Sequence, residues 1–83
     1  MKVTVRYFAS VREALGTGSE TVETQAVTLA ALRDELIARG EPYLGALARG
    51  KAVRMALDQV MSAESAELAE GSEIAFFPPV TGG

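Results

Sequence analysis

The chain reads as an α+β protein: a mixed sheet of four to five strands with one main helix lying across one face. Three observations lead there. Apolar residues alternate at a period of two in Val3-Val5-Tyr7, in Val53-Met55-Leu57 and in Ile74-Phe76. A single stretch keeps helical spacing, with Leu29, Leu32, Leu36 and Ile37 on one stripe. The length, 83 residues, is enough for one small core.

Each element follows from its residues. Lys2, Thr4 and Arg6 interleave Val3, Val5 and Tyr7, the pattern of a half-buried strand. Gly16 and Gly18 mark a turn after Leu15, and Glu20 to Gln25 carries the β-branched residues of a second, more polar strand. The first two strands are therefore expected to form a hairpin. Thr28 is placed as the N-cap of the helix, Glu35 and Arg39 stand four residues apart on its solvent side, and Gly40 is a natural stop. Pro42 ends that helix, and Tyr43 to Arg49 adds a short helical piece. A third strand spans Val53 to Leu57 and turns at Asp58-Gln59 into a short extended piece at Val60-Met61. Glu64 to Glu70 forms a loop or helical turn before Gly71. The last strand holds Ile74 and Phe76 and is stopped by Pro78-Pro79, which cannot donate to a ladder. Residues 1–77 make the body and residues 78–83 a tail.

Composition excludes much chemistry. The chain has no Cys, His or Trp, so a thiol nucleophile, a Ser-His-Asp triad and zinc-finger or iron–sulfur ligation are unavailable. Its net charge of −3 argues against nucleic-acid binding as the main task. Residues 1–53 carry seven basic and six acidic groups, whereas residues 54–83 carry one against five. That acidic third reads either as a solvated face or as a dock for a basic partner. Asp34-Glu35 reads as a solvated pair on the outer face of the helix. No stretch has the length of a membrane span or the apolar core of a signal peptide, so a cytoplasmic address and no membrane partner are expected.

Two rings fall on the wrong side of the sheet. If Val3, Val5 and Tyr7 face the helix, Phe8 shares the other face with Thr4 and Arg6. The same count puts Phe77 with Glu73 and Ala75. One helix covers one face, so Phe8 and Phe77, with Met61, are candidates for an exposed apolar docking patch. The alternative is that strand ends twist and both rings tuck under a loop.

The chain finishes Pro78-Pro79-Val80-Thr81-Gly82-Gly83. Two prolines favour a stiff exit, so the tail is expected to project. Fully extended, six residues reach roughly 20 Å, and two terminal glycines pass a channel too narrow for a Cβ.

The octet Phe76-Phe77-Pro78-Pro79-Val80-Thr81-Gly82-Gly83 resembles the terminus of the small subunit of molybdopterin synthase, a family of ubiquitin-like sulfur carriers. Tyr7-Phe8-Ala9-Ser10-Val11-Arg12-Glu13 is similar to that subunit's first strand and following turn. The resemblance covers the whole chain in length and element order, and it implies the β-grasp fold. It further implies no bound cofactor and no catalysis by the chain alone. An E1-like activating enzyme would use ATP to adenylate Gly83, and a sulfur donor system would convert it to a thiocarboxylate. That group would supply the dithiolene sulfur of molybdopterin inside the large catalytic subunit. In this picture Gly83 carries the sulfur, Gly82 and Thr81 give access, and Phe8, Met61, Phe77, Pro78, Pro79 and Val80 meet partners. A sulfur carrier for thiazole formation or tRNA thiolation, a ubiquitin-like modifier ending in an isopeptide bond, and an interaction module with an inert tail are the other readings.

Overall fold

Val3, Val5 and Tyr7 on the first strand and Ile74 and Phe76 on the last stand side by side beneath the helices and are almost entirely buried, 1% exposed or less. A computed structural model describes residues 1–79. Its elements are β1 (Lys2–Tyr7), α1 (Ala9–Leu15), β2 (Ser19–Glu23), α2 (Leu29–Ile37), α3 (Tyr43–Leu47), β3 (Arg54–Leu57), β4 (Val60–Met61) and β5 (Glu73–Phe77). The strands form one mixed sheet in the order β2-β1-β5-β3-β4. The central pair, β1 and β5, is parallel, and every other pair is antiparallel.

β1 and β2 pair from Lys2↔Glu23 to Arg6↔Ser19, as a hairpin would. Their connection is not the simple turn that Gly16 and Gly18 suggest, because it holds a seven-residue helix, α1. Seven residues are too few to hold a helix by propensity, so α1 depends on packing. Val11 is buried in the core, and Leu15 packs against it from one turn on. Gly16 closes the helix in the left-handed region at φ 77°, where its N–H donates to Arg12 at 2.9 Å.

α2 begins at the expected cap: the Thr28 hydroxyl accepts the Ala31 N–H at 3.2 Å. Two further N–H groups of its first turn donate outside the helix, Leu29 to Ala66 at 3.1 Å and Ala30 to Glu64 at 2.9 Å. The 64–70 loop is thus tied to the helix start by satisfying donors that any helix leaves open. Leu29, Leu32 and Leu36 are completely buried. The expected Glu35–Arg39 pair does not form. Glu35 accepts the Thr24 hydroxyl, while Arg39 reaches across to Glu20 on β2 and to Tyr43. Instead of one helix, three cover this face: Val11, Leu32 and Leu47, from α1, α2 and α3, join one core cluster with the β1 and β5 side chains. Tyr7 and Phe76 stack in it with ring centroids 6.3 Å apart.

Asp58 and Gln59 both have positive φ, 50° and 71°, the signature of a two-residue hairpin turn that matches strand twist. It joins β3 to the two-residue β4, with Leu57 opposite Val60. Of the five acidic groups in residues 54–83, two are ion-paired within the molecule, among the described residues. Glu64 meets Arg33 at 3.1 Å and also pairs with Arg49, and Glu73 lies 3.9 Å from Arg6. Asp34 pairs with Arg49 at 2.9 Å.

Candidate functional site

All three helices pack on one side of the sheet, and side chains of opposite parity line the other. Residues directly opposite in a ladder share a face, so register alone maps this surface. Met61, Ala56, Ala75, Arg6 and Ser19 form one row across all five strands. The adjacent row, at the end where the chain leaves the sheet, holds Arg54 opposite Phe77. Phe8 joins it from the far side, because the β1–β5 ladder ends at Tyr7↔Phe76 and the Phe8 N–H still donates to the Phe76 carbonyl at 3.1 Å.

Exposure along this surface is uneven. Phe8 is 40% exposed and Met61 61%, whereas Phe77 is half-buried. Ala56 and Ala75, both small side chains, stand at the middle of the row. Ala56 is buried yet lies outside the core cluster, as its place on this face requires. The face-counting expectation therefore holds for Phe8 and Met61, and Phe77 shares their face with part of its ring covered. Phe8 is not tucked under a loop; the Arg6 guanidinium stands 5.5 Å from its ring centre, a contact that typically contributes about 0.5–1 kcal/mol at exposed sites.

β5 delivers the chain to this end of the sheet. Pro78 and Pro79 follow the strand and are half-buried. Pro78 lines a cavity of about 130 Å³ with Ser10, Ala14, Ala46, Lys51 and Val53, so the root of the tail lies against the α1–α3 side of the body. Val80, Thr81, Gly82 and Gly83, which carry the expected chemistry, lie outside the described residues.

Two charged networks that the sequence did not reveal sit away from this surface. In the first, Glu20 accepts hydrogen bonds from Tyr7 at 2.8 Å, Tyr43 at 2.7 Å and Arg39 at 3.1 Å. Burial pushes its carboxyl up, but the bonds from Tyr43, Tyr7 and Arg39, with the Arg39 charge, outweigh that and hold it below the usual carboxylate range. Burial, with the bond to Glu20 and its negative charge, drives the Tyr7 phenol well above its ordinary value. In the second, the buried Arg33 donates to the carbonyls of Leu47 at 2.7 Å, Ala48 at 2.8 Å and Lys51 at 3.3 Å, and pairs with Glu64. Both networks clamp loops to the body, with donors and acceptors facing each other rather than a cleft. Among the described residues no group of three acidic side chains is placed to hold a metal ion, and no helix is long and apolar enough to cross a membrane.

Comparison with known proteins bears on the family and the fold. Residues 5–83 match the ThiS family. The molybdopterin synthase sulfur carrier subunit of Escherichia coli (strain K12) is 40% identical over 81 residues, covering 98% of this chain and 99% of that one. Among solved structures, a chain of the protein–protein complex of subunits 1 and 2 of the molybdopterin-converting factor from Helicobacter pylori 26695 is 26% identical. It covers 100% of both chains with a TM-score of 0.67. SAMP1 from Haloferax volcanii superposes with a TM-score of 0.78 at 24% identity over 100% of both chains, a likeness of fold.

Proposed function

Since the chain belongs to the ThiS family, we propose that it is the sulfur-carrier subunit of a molybdopterin synthase. The observation that carries this reading is the 40% identity to a molybdopterin synthase sulfur carrier subunit, maintained over 98% of the chain. The geometry supports it: an apolar open face lies beside the strand that leads into the glycine-ended tail. The body is a recognition scaffold and not a catalyst.

The reactive atom belongs to the last residue. A carboxylate is a poor electrophile, so the Gly83 carboxylate oxygen first attacks the α-phosphorus of ATP on an E1-like activating enzyme, with release of pyrophosphate. A hydrosulfide equivalent from a sulfur donor system then attacks the acyl carbon, the bond to the phosphate oxygen breaks, and AMP leaves with its electron pair. The product is a thiocarboxylate. In the large catalytic subunit it yields sulfur to the dithiolene of molybdopterin and returns to a carboxylate with an oxygen from water. Partners supply acid, base and phosphate-binding groups, which accounts for a carrier with no Cys or His. Gly82 and Thr81 pass the partner's channel, while Phe8, Met61 and Phe77 dock with Pro78, Pro79 and Val80 leading in. ATP is the activating enzyme's substrate, sulfur is covalent cargo, and the setting is cytoplasmic.

Mass spectrometry tests this. The chain is incubated with its activating enzyme, ATP and a sulfur donor, and the C-terminal peptide is weighed. One oxygen exchanged for sulfur at Gly83 is the expected outcome. An unchanged terminus overturns the carrier reading, and conjugates to lysine assign the chain to the modifier class instead.

A further inference from the structure

Arg54 on β3 and Arg12 on α1 are the two arginines that make no ion pair among the described residues, and Arg54 is the one on the open face of the sheet. Arg33, Arg39 and Arg49 are each ion-paired at 3.1 Å or closer. Arg54, exposed and directly opposite Phe77, makes no ion pair and no side-chain hydrogen bond among the described residues. On the other flank of the same apolar end, Arg6 lies over the Phe8 ring, and its one acidic neighbour, Glu73, is 3.9 Å away. Lys51 lines the cavity beside Pro78. A chain of net charge −3 therefore presents cations around the root of its tail.

We propose that Arg6 and Arg54 are recognition residues, reading carboxylates on the rim of the partner surface that receives the tail. The inference rests on the carrier reading above and names the partner's chemistry. The large subunit's surface is apolar at its centre, where Phe8, Phe77 and Met61 enter, and acidic where the two guanidiniums arrive. Charge placement argues for this occupant. A net-negative protein approaching an acidic surface is repelled on average, and the end that exposes Arg54 and Arg6 is attracted. The encounter is thereby steered towards the pose in which the tail faces its channel. Arginine suits the task because its planar fork binds a carboxylate through two parallel bonds and sheds water more readily than an ammonium. Neither cation is needed for folding, since neither closes a buried network.

The test is association of the full chain with its cognate large subunit, followed by stopped flow across a salt series. Arg54→Glu is expected to slow association about tenfold at low ionic strength, with Arg54→Gln intermediate and Arg6→Gln similar to it. At about 0.5 M salt the variants should converge with the wild type to within about twofold. Phe8→Ala should weaken the complex at every salt concentration, mainly through faster dissociation. Thermal melting of each variant checks that the fold is intact. Unchanged association of the arginine variants at low salt, with Phe8→Ala still weakened, overturns this proposal and leaves the docking face standing. Faster association of Arg54→Glu overturns it by making the partner basic. Wild-type binding by the arginine variants and Phe8→Ala alike overturns the proposal together with the docking face.

Discussion

The backbone N–H of Phe8 donates a 3.1 Å hydrogen bond to the carbonyl of Phe76. This bond carries the parallel β1–β5 pairing one residue past the end of the ladder and brings Phe8 level with Phe77. Two residues 69 positions apart in sequence thereby stand at the same level, at the end of the sheet from which the chain leaves. Replacing Phe77 by Glu should raise the Kd for the large subunit about thirtyfold or more, the range of an interface hot spot. Its cost in stability should stay below about 1.5 kcal/mol, because the ring is only half covered. Calorimetric titration and a denaturant melt check both. A loss of about 3–5 kcal/mol would place the ring in the core instead.

Adding one residue after Gly83 should abolish sulfur loading and leave the melting temperature unchanged. The added residue turns the Gly83 carboxylate into an amide and moves the new terminus about 3.5 Å further along the chain. Loading at the normal rate, read by mass spectrometry, would contradict a terminus held at a fixed depth in the activating enzyme.

The Glu20 network should make the fold sensitive to both extremes of pH. The Glu20 carboxyl is lowered in the folded state, so its contribution is present above the ordinary carboxylate value of about 4.3 and is lost as pH falls below it. Glu64, lowered chiefly by the bond from Arg49, acts in the same direction. Glu20→Gln should therefore be less stable than the wild type at neutral pH, with the difference narrowing as the pH drops below about 4. Urea melts at several pH values measure it.

At the alkaline end the sign reverses. Tyr7 is raised by burial and Tyr43 chiefly by its bond to Glu20. Both phenols favour the folded state below the ordinary value of about 10, and that preference is lost as pH rises above it. At about pH 11 the folded chain should show less tyrosinate absorbance than the urea-unfolded chain. Equal absorbance would mean that the phenols are open to solvent.

Arg33 should tolerate truncation poorly. It is 4% exposed, and three backbone carbonyls of residues 47–51 accept its hydrogen bonds. Arg33→Ala should cost about 3 kcal/mol, because those acceptors and Glu64 lose their donor. Hydrogen exchange should show the 47–51 segment losing protection first, and a uniform loss across the chain would refute the clamp.

Short-range patterns carried the reading of the elements. Thr28 ahead of the leucine stripe marked a helix start, because a hydroxyl one residue before a helix finds a free N–H within its own turn. The parity of Phe8 against Tyr7, and of Phe77 against Phe76, marked the second face, because strand side chains alternate whatever else the chain does. Asp58-Gln59 marked a turn for the same local reason. The order of residues in the last octet marked a glycine-ended tail, and the chemistry expected of its carboxyl came from the family resemblance alone.

Long-range pairing decided the rest. Helix α1 was invisible because seven residues gain too little from their own hydrogen bonds, and Val11 becomes a helical anchor only once the sheet and α3 are present beside it. Arg33 carries no local mark of its role, which exists only because the 47–51 loop lays its carbonyls over the guanidinium. Arg39 was placed beside Glu35 by spacing, yet its partner came from β2, nineteen residues back. Arg54 and Arg6 show the same limit from the other side. Periodicity put Arg6 on the open face, but only the β3–β5–β1 register set Arg54 and Arg6 on opposite flanks of the two phenylalanines. Local chemistry thus determined the elements and their faces, while the pairing of distant strands determined which charges are spent inside the molecule and which remain exposed.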